Sequence, residues 1–281
     1  SWLRSPLGYW LQRVEGLDDP DPSALELDAR RFGILAHDVL EILDQDALRG
    51  STDHGLIESA LIDRLDVLVR ERYGRRPPPA VVFQHLTLAK RLEALAALQV
   101  AMARDGWSIE AVESPIDQQL EVPGQDPVRV VGRIDRIDRH ADGRLRLLDY
   151  KTSDNPVDLS GKRRRDGTWT DLQLPLYDHL LRIERDVPDA PVELGYISLP
   201  TDPSGVRLEL GVDWGPESLR DAIEQARDIV RAMRRGDHES PLPSSSTGPR
   251  QRRPGPLDRI LRTSALDVSS TPDSDEEAGA E

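Results

Sequence analysis

The 281-residue sequence contains no cysteine, and only 4% of its residues are aromatic. The lack of cysteine excludes disulfides and thiolate metal sites, and it fits a reducing, cytoplasmic environment. No apolar run approaches the roughly 20 residues that a membrane-spanning helix needs, and no secretory signal is visible, so we expect no association with a membrane. Because the sequence starts at Ser1 directly with structured-looking residues, we expect a domain cut from a longer protein.

Positive charge is also scarce, since 37 basic residues stand against 51 acidic ones and leave a formal net charge of −14. Part of the imbalance lies in residues 267–281, which contain acidic side chains and no basic ones. Phosphate contacts need clustered Lys and Arg, so this composition argues against a domain that grips nucleic acid tightly without help. The densest basic cluster is Lys162, Arg163, Arg164 and Arg165.

Composition and periodicity divide the chain into three regions. Residues 1–105 have apolar positions at helical spacing and are predicted to be mainly helical, with one helix from Arg31 to about Leu48. Residues 106–243 mix strand and helix patterns, with separate strands expected over 107–113 and 116–122 and a loop over 154–168. Residues 244–281 are rich in Pro, Ser and acidic side chains, and are predicted to be disordered. The fold class expected is α/β.

The most specific chemistry lies on two strands joined by a short hairpin. A three-residue loop, Ala141 to Gly143, would place Asp135 directly opposite Asp149 and on the same face of the sheet. Lys151 shares that face because side chains alternate along a strand. A two-residue Asp-Gly turn would instead separate the two carboxylates. Carboxylate oxygens are the donors that Mg²⁺ and Mn²⁺ prefer, so the longer loop predicts a divalent-metal site with a lysine beside it.

The alternative is that these charges form a solvated face or an ion pair that only stabilises the fold. Asp149 follows the apolar Leu145, Leu147 and Leu148, which indicates a buried strand. Ionised groups are rarely buried unless they are paired or bound to metal. The residues themselves leave both a metal site and a structural ion pair open.

Four motifs occur in a fixed order along the chain: Gly33-x-x-x-His37, Gly132-x-x-Asp135-Arg136-x-Asp138, Asp149-Tyr150-Lys151-Thr152 and Gln173-Leu174-x-x-Tyr177. This string resembles the RecB-like branch of the PD-(D/E)XK nuclease superfamily, found at the C-terminal ends of the RecB and AddB helicase–nuclease subunits. The resemblance runs from about residue 1 to about residue 243. It implies one nuclease domain with a restriction-endonuclease-like fold, a mixed central sheet flanked by helices with an N-terminal helical region.

The same resemblance implies an activity and partners. We expect Mg²⁺-dependent (or Mn²⁺-dependent) hydrolysis of DNA, exonucleolytic on single strands, in double-strand break processing and recombinational repair. Helicase motor domains in the same chain or in a partner subunit would deliver the strand. A bacterial-type cytoplasm, in association with the nucleoid, is the expected location.

The resemblance also assigns roles to residues. The predicted metal ligands are His37, Asp135, Asp149 and the backbone carbonyl of Tyr150. The predicted catalytic residues are Asp135, Asp149, Lys151, Gln173 and Tyr177. Lys151 would position or deprotonate the attacking water, and Gln173 and Tyr177 would organise the lysine, the water or the phosphate. The predicted substrate contacts are Lys162, Arg163, Arg164 and Arg165. Glu113 would support a metal through water.

The sequence also departs from the family pattern. Many AddB-like nucleases hold an iron–sulfur cluster on four cysteines, whereas this chain has Ser5 and Ser244 to Ser246 in the corresponding segments, so no cluster is expected. Two other functions stay open: a catalytically inactive nuclease-fold module for DNA binding or complex assembly, and an unrelated phosphohydrolase. Intact Asp135, Asp149 and Lys151 argue against the first, and the lack of a Gly-rich phosphate loop argues against the second.

Overall fold

The predicted hairpin lies at the centre of a five-stranded sheet with strand order β1-β2-β3-β4-β5. A computed structural model describes residues 27–155, 157–162, 167–186 and 191–236. The strands are β1 (Trp107–Leu120), β2 (Val128–His140), β3 (Leu145–Lys151), β4 (Val192–Ser198) and β5 (Arg207–Leu210). Neighbouring strands are antiparallel except β3 and β4, which are parallel. The sheet is therefore mixed, as expected.

Helices precede the sheet, connect β3 to β4 and follow the last strand. They are α1 (Ala29–Leu40), α2 (Asp46–Arg49), α3 (His54–Tyr73), α4 (Pro79–Arg104), α5 (Leu159–Lys162), α6 (Gln173–Arg185) and α7 (Pro216–Arg234), with short 3-10 turns at Glu41–Asp44 and Pro203–Gly205. Asp28 starts α1, since its carboxylate accepts a hydrogen bond from the backbone N–H of Arg31 at 2.7 Å. Because α6 crosses between two parallel strands, it lies close to the end of β3.

Each face of the sheet has its own apolar core. On one face, α1, α3 and α4 pack against side chains such as Leu148 and Tyr150 of β3. On the other face, α6 and α7 pack against Ile137, Leu147 and Tyr196. Successive β3 residues thus point to opposite cores, which is why this strand is buried almost throughout. The observed architecture confirms the predicted α/β fold class, a mixed sheet flanked by helices with an N-terminal helical region.

Three expectations about individual elements are corrected. The two strands expected over 107–113 and 116–122 are one strand, β1, because pairing with β2 continues through the junction. The helix expected from Arg31 to Leu48 is divided into α1, a 3-10 turn and α2. The segment after β3, expected to be loop throughout, contains the short helix α5. In each case, long-range pairing or packing settles what local pattern left undetermined.

The predicted N-terminal segment before residue 27 and the predicted disordered tail lie outside the described residues. The domain limits of 1–243 therefore stay a prediction. Among the residues that the structure describes, no helix has the length and apolar content needed to cross a bilayer.

Candidate metal centre

The β2–β3 hairpin has the register that the three-residue loop predicts. The backbone N–H of His140 donates to the carbonyl of Arg144 at 2.9 Å, and Gly143 has a φ of 94°. Arg136 pairs with Leu148, and one step further the same register sets Asp135 opposite Asp149. The Asp135 carboxylate accepts the Tyr150 N–H at 3.0 Å. The hairpin therefore brings both aspartates to the same place.

Carboxylates from three neighbouring strands form a row across the sheet. In β1, Val112 pairs with Arg136 and Ser114 with Ile134, so Glu113 between them is opposite Asp135. Asp135 is in turn opposite Asp149, which continues the row into β3. We call Glu113, Asp135 and Asp149 the carboxylate row. Like charges directly across a sheet repel one another, so such a row is stable only beside positive charge.

The backbone of β1 is irregular at and near Glu113. The pairing of β1 shifts by one residue between Ile109 and Ala111, and Glu113 itself has a φ of 50°. A residue with a β-carbon adopts this region only when its surroundings impose it, and such positions concentrate at functional sites. The register that continues without a shift from Leu120 and Val128 to Val112 and Arg136 aligns Glu113 with Asp135, and the bulge lies just beyond this stretch.

His37 completes a cluster that fits a divalent metal ion. Its Nδ1 lies 3.1 Å from Oε1 of Glu113 and 3.6 Å from Oδ2 of Asp135. One ligand atom from each of the three residues lies within 4.8 Å of the others. Two carboxylates and one imidazole suit Mn²⁺, and also Mg²⁺ completed by water. The structure thus makes Glu113 a direct member of the cluster, whereas the sequence indicated only support through water.

Asp149 lies next in the row and is held by two other predicted site residues. Its carboxylate forms an ion pair with Lys151 and accepts a hydrogen bond from Nε2 of Gln173 at 2.7 Å. Asp149 is buried, while Lys151 remains 26% exposed. Burial by itself lowers the pKa of Lys151, but Asp149 and Asp171 outweigh it and raise that pKa above its ordinary value. Lys151 is therefore an ammonium at neutral pH.

Asp171 and Tyr196 belong to this neighbourhood, although the sequence did not single them out. Asp171 accepts the backbone N–H of Gln173 at 3.1 Å and a hydrogen bond from Lys162 Nζ at 2.5 Å. Tyr196 pairs with Asp149 across β3 and β4, and Nζ of Lys151 lies 5.3 Å from the centre of its ring. Burial first, and then Asp171 and Asp149, raises the pKa of Tyr196 well above its usual value. An acidic residue just before α6 was the one sequence signal available for Asp171.

Arg136 and Asp138 of the Gly132 motif form a pair in the protein interior. Arg136 Nε lies 2.6 Å from Asp138 Oδ1, Nη2 lies 3.1 Å from Oδ2, and both side chains are fully buried. The Tyr150 hydroxyl accepts a third hydrogen bond from Nη1 at 3.3 Å. These contacts give the pair a structural role beneath the candidate metal centre.

The predicted residues Tyr177 and Lys162 are not part of the cluster that His37, Glu113 and Asp135 form. Tyr177 packs on Gly132, where an added β-carbon would lie 3.0 Å from the ring, and its hydroxyl accepts the Arg133 N–H at 3.4 Å. Tyr177 therefore supports strand β2, and its predicted catalytic role stays a prediction. Lys162 is engaged by Asp171, so contact with a phosphate would require exchange of that partner. Residues 163–166, which include the rest of the basic cluster, lie outside the described residues.

A cavity of about 920 Å³ lies away from this cluster, between α6, α7 and the start of β4. Its walls include Asp178, His179 and Trp214, and none of the predicted site residues. The candidate metal site therefore does not lie in this cavity.

Comparison with known proteins agrees with the geometry. The model of the PD-(D/E)XK nuclease superfamily matches residues 1–246. The chain belongs to this superfamily, whose nucleases use divalent metals, and the resemblance inferred from the four motifs is confirmed.

Matches to individual proteins cover less of this chain than the family model does. The chain is 30% identical over 158 residues to an ATP-dependent helicase/deoxyribonuclease subunit of Streptococcus mutans serotype c, a match that covers 54% of this chain and 13% of that protein. The chain thus spans a small part of that relative's length. A solved structure described as "Crystal structure of SSO0001" aligns with a TM-score of 0.30 and 15% identity, covering 80% of this chain and 84% of that one. That likeness is too low to support an inference.

Proposed function

We propose that this domain is a divalent-metal-dependent deoxyribonuclease that degrades single-stranded DNA from an end. The observation that carries the proposal is the carboxylate row, which meets His37 at one end and the ammonium of Lys151 at the other. A fold stabilised by ion pairs alone would not need three carboxylates side by side. A divalent metal ion does need anionic oxygen donors, and its positive charge offsets the repulsion between them.

Each residue has a distinct task in this proposal. His37, Glu113 and Asp135 would hold the metal ion, which when bound would supply Lewis acidity and lower the pKa of the attacking water. Lys151, kept charged by Asp149, donates a hydrogen bond to a phosphate oxygen or to the water and offsets negative charge in the transition state. Gln173 fixes the Asp149 carboxylate and thereby the position of Lys151. Asp149 and the backbone carbonyl of Tyr150 complete the proposed set of metal ligands.

The biological setting is inferred from the family and from the relative. We propose that the domain, residues 1–243, acts in a helicase–nuclease machine for double-strand break processing and recombinational repair, in a bacterial-type cytoplasm at the nucleoid. Motor domains in the same chain or in a partner subunit would deliver the strand. The net charge of −14 supports delivery over electrostatic capture. Mg²⁺ is the cofactor proposed, with Mn²⁺ as a substitute.

The test uses end-labelled linear and circular single-stranded DNA with Mg²⁺, Mn²⁺ or EDTA. We expect the linear strand to be shortened in either metal, the circle to stay intact and EDTA to stop the reaction. Asp135→Asn and Lys151→Met should each lower turnover at least 10²- to 10³-fold, the typical loss for one preorganised group. Arg129→Gln, on β2 but part of a surface pair with Asp117, is the matched control and should cleave normally. DNA binding without cleavage in any metal would instead support an inactive module.

A further inference from the structure

A cavity of about 330 Å³ lies where the start of α1, the first turns of α4 and the loop after β3 meet. Phe83 and Thr87 line it from α4, Phe32 lines it from α1, and Thr152 and Ser153 line it from the loop. Thr152 directly follows Lys151 in the chain. The cavity therefore begins one residue beyond the candidate site, although none of the site residues lines it.

The wall next to Thr152 is held rigidly by Arg91. This side chain is 5% exposed and donates to the carbonyls of Thr152 at 2.9 Å and Leu199 at 2.8 Å. It also donates to Oγ1 of Thr201 at 2.7 Å, and its guanidinium lies 4.8 Å from the centre of the Phe32 ring. A buried arginine with three acceptors on two strand ends fixes their spacing, so this side of the cavity is preformed.

Phe83 differs from the other phenylalanine in being open to solvent. It is 71% exposed on the wall of the cavity, whereas Phe32 is 9% exposed. The ring is carried by α4, a 26-residue helix that packs into the core through residues such as Leu88 and Leu92. A rigidly mounted, exposed aromatic ring is the feature on which proteins stack the bases of single-stranded nucleic acid.

Helix α1 connects this cavity to the candidate metal centre. Helix α1 carries Phe32 at the cavity and His37 at the metal centre, five residues later. At a rise of about 1.5 Å per residue, the two points are separated by about 7.5 Å along the helix axis. A strand with a phosphate beside Lys151 would continue into this cavity, because Thr152, the next residue in the chain, lines it together with Phe83.

Stacking also explains how an acidic domain could hold a strand. Phosphate contacts depend on clustered basic residues, which are few in a chain with a net charge of −14. Stacking depends on a π-face instead, and every base has one. A base in a duplex is already stacked and paired, and its extrusion costs free energy, so an aromatic platform favours unpaired strands.

We propose that this cavity is a nucleobase subsite, in which Phe83 stacks on the base next to the scissile phosphate and selects single-stranded DNA. This inference rests on the proposed function. It adds a substrate contact outside the motifs, and a physical source for single-strand preference.

The experiment measures the dissociation constants of short fluorescent single strands, each with one abasic site at a successive position. Lys151→Met is the background, so that no strand is consumed. With Phe83 present, one abasic position should weaken binding roughly 10-fold, the usual effect of losing one stacked base. Phe83→Ala should weaken binding of the intact strand by the same factor and abolish the penalty at that position. Phe83→Tyr should restore both, whereas Phe83→Leu should not.

Leu86→Ala is the matched control, because Leu86 is exposed on the same helix and does not line the cavity. Its dissociation constants should equal those of the parent. Because Phe83 is largely exposed, its variants should melt with the parent protein in circular dichroism.

An abasic penalty that persists in Phe83→Ala, or an equal loss in Leu86→Ala, would overturn the subsite. Cleavage of DNA by the wild-type chain together with either result would leave the proposed function standing alone. Loss of cleavage in every metal, with the abasic pattern intact, would refute the hydrolysis and keep the subsite. A chain that binds no single strand would refute both.

Discussion

The buried Arg136–Asp138 pair permits a quantitative test of what stabilises the fold beneath the metal centre. Two hydrogen bonds, at 2.6 and 3.1 Å, join the side chains with no exposure to solvent. Burial by itself would lower the pKa of Arg136, but Asp138 and the Tyr150 hydroxyl raise it above its ordinary value, so the guanidinium stays charged. Arg136→Met would leave a carboxylate in an apolar interior with no cation to offset it.

The expected cost of Arg136→Met is about 3–5 kcal/mol, the typical loss when one partner of a buried pair is removed. For a domain of this size, that corresponds to a decrease in melting temperature of about 6–20 °C. The double variant Arg136→Met/Asp138→Leu removes both charges and should be more stable than Arg136→Met alone. Apolar replacement of a complete buried pair is often close to neutral.

The assay is thermal melting at pH 7, followed by circular dichroism. Arg129 and Asp117 supply the control, because they also form two hydrogen bonds, at 2.8 and 2.6 Å. This pair joins β2 to β1 at the surface, and both side chains are about half exposed. Arg129→Met should leave the melting temperature almost unchanged, since surface pairs contribute little. Equal effects of the two single variants, or a double variant less stable than Arg136→Met, would refute the reasoning from burial.

Three other sets of contacts lead to further predictions. In calorimetric titrations, Glu113→Gln should weaken Mn²⁺ binding at least 10-fold. His37→Ala should weaken Mn²⁺ binding more than Mg²⁺ binding, because imidazole is a softer donor than carboxylate. Unchanged affinities would exclude this cluster as the metal-binding site. Arg91→Leu should lower stability in urea by about 3 kcal/mol, because two buried carbonyls lose a charged donor, and a loss below about 1 kcal/mol would contradict this. Burial first, and then Arg227 and a neighbouring arginine, lowers the pKa of His179. The neutral form of His179 is therefore favoured in the folded state, so stability should fall as pH drops below about 6.5. In His179→Gln, the melting temperature should change less between about pH 7 and pH 5. A pH profile of melting temperature equal to that of the parent would show that other groups cause the decrease.

The centre of the site could be predicted from the sequence because local rules determine it. The loop from Ala141 to Gly143 fixes the hairpin register, and register places Asp135 opposite Asp149 whatever the rest of the fold does. Lys151 then follows by alternation along the same strand. Helix and strand locations in the α/β region were predicted for the same reason, since periodicity is local.

The other residues at the candidate site, and Arg91 beside it, are brought into place by contacts between distant segments of the chain. Glu113 meets His37, 76 positions earlier in the chain, only through tertiary packing. Tyr196 reaches Asp149 through the parallel pairing of β4 with β3, which places residues from distant parts of the chain side by side. Arg91 contacts Thr152 at the end of β3 from a helix 61 positions earlier in the chain. Such proximities arise from tertiary packing, which sequence spacing does not encode.

The turn between β1 and β2 divides the candidate site between two halves of the polypeptide. Gly124 in that turn has a φ of 79°, and a β-carbon added there would meet no atom within 4 Å, so the backbone is open to a break at this point. Arg234 of α7 would still hold the turn through the carbonyls of Asp126 and Pro127. An N-terminal fragment would carry His37 and Glu113, and a C-terminal fragment would carry Asp135 and Lys151. Neither fragment holds a complete donor set, while the long β1–β2 ladder gives the two a surface on which to reassemble. The protein is thus suited to a split reporter, in which cleavage of DNA returns only when two fused partners bring the halves together.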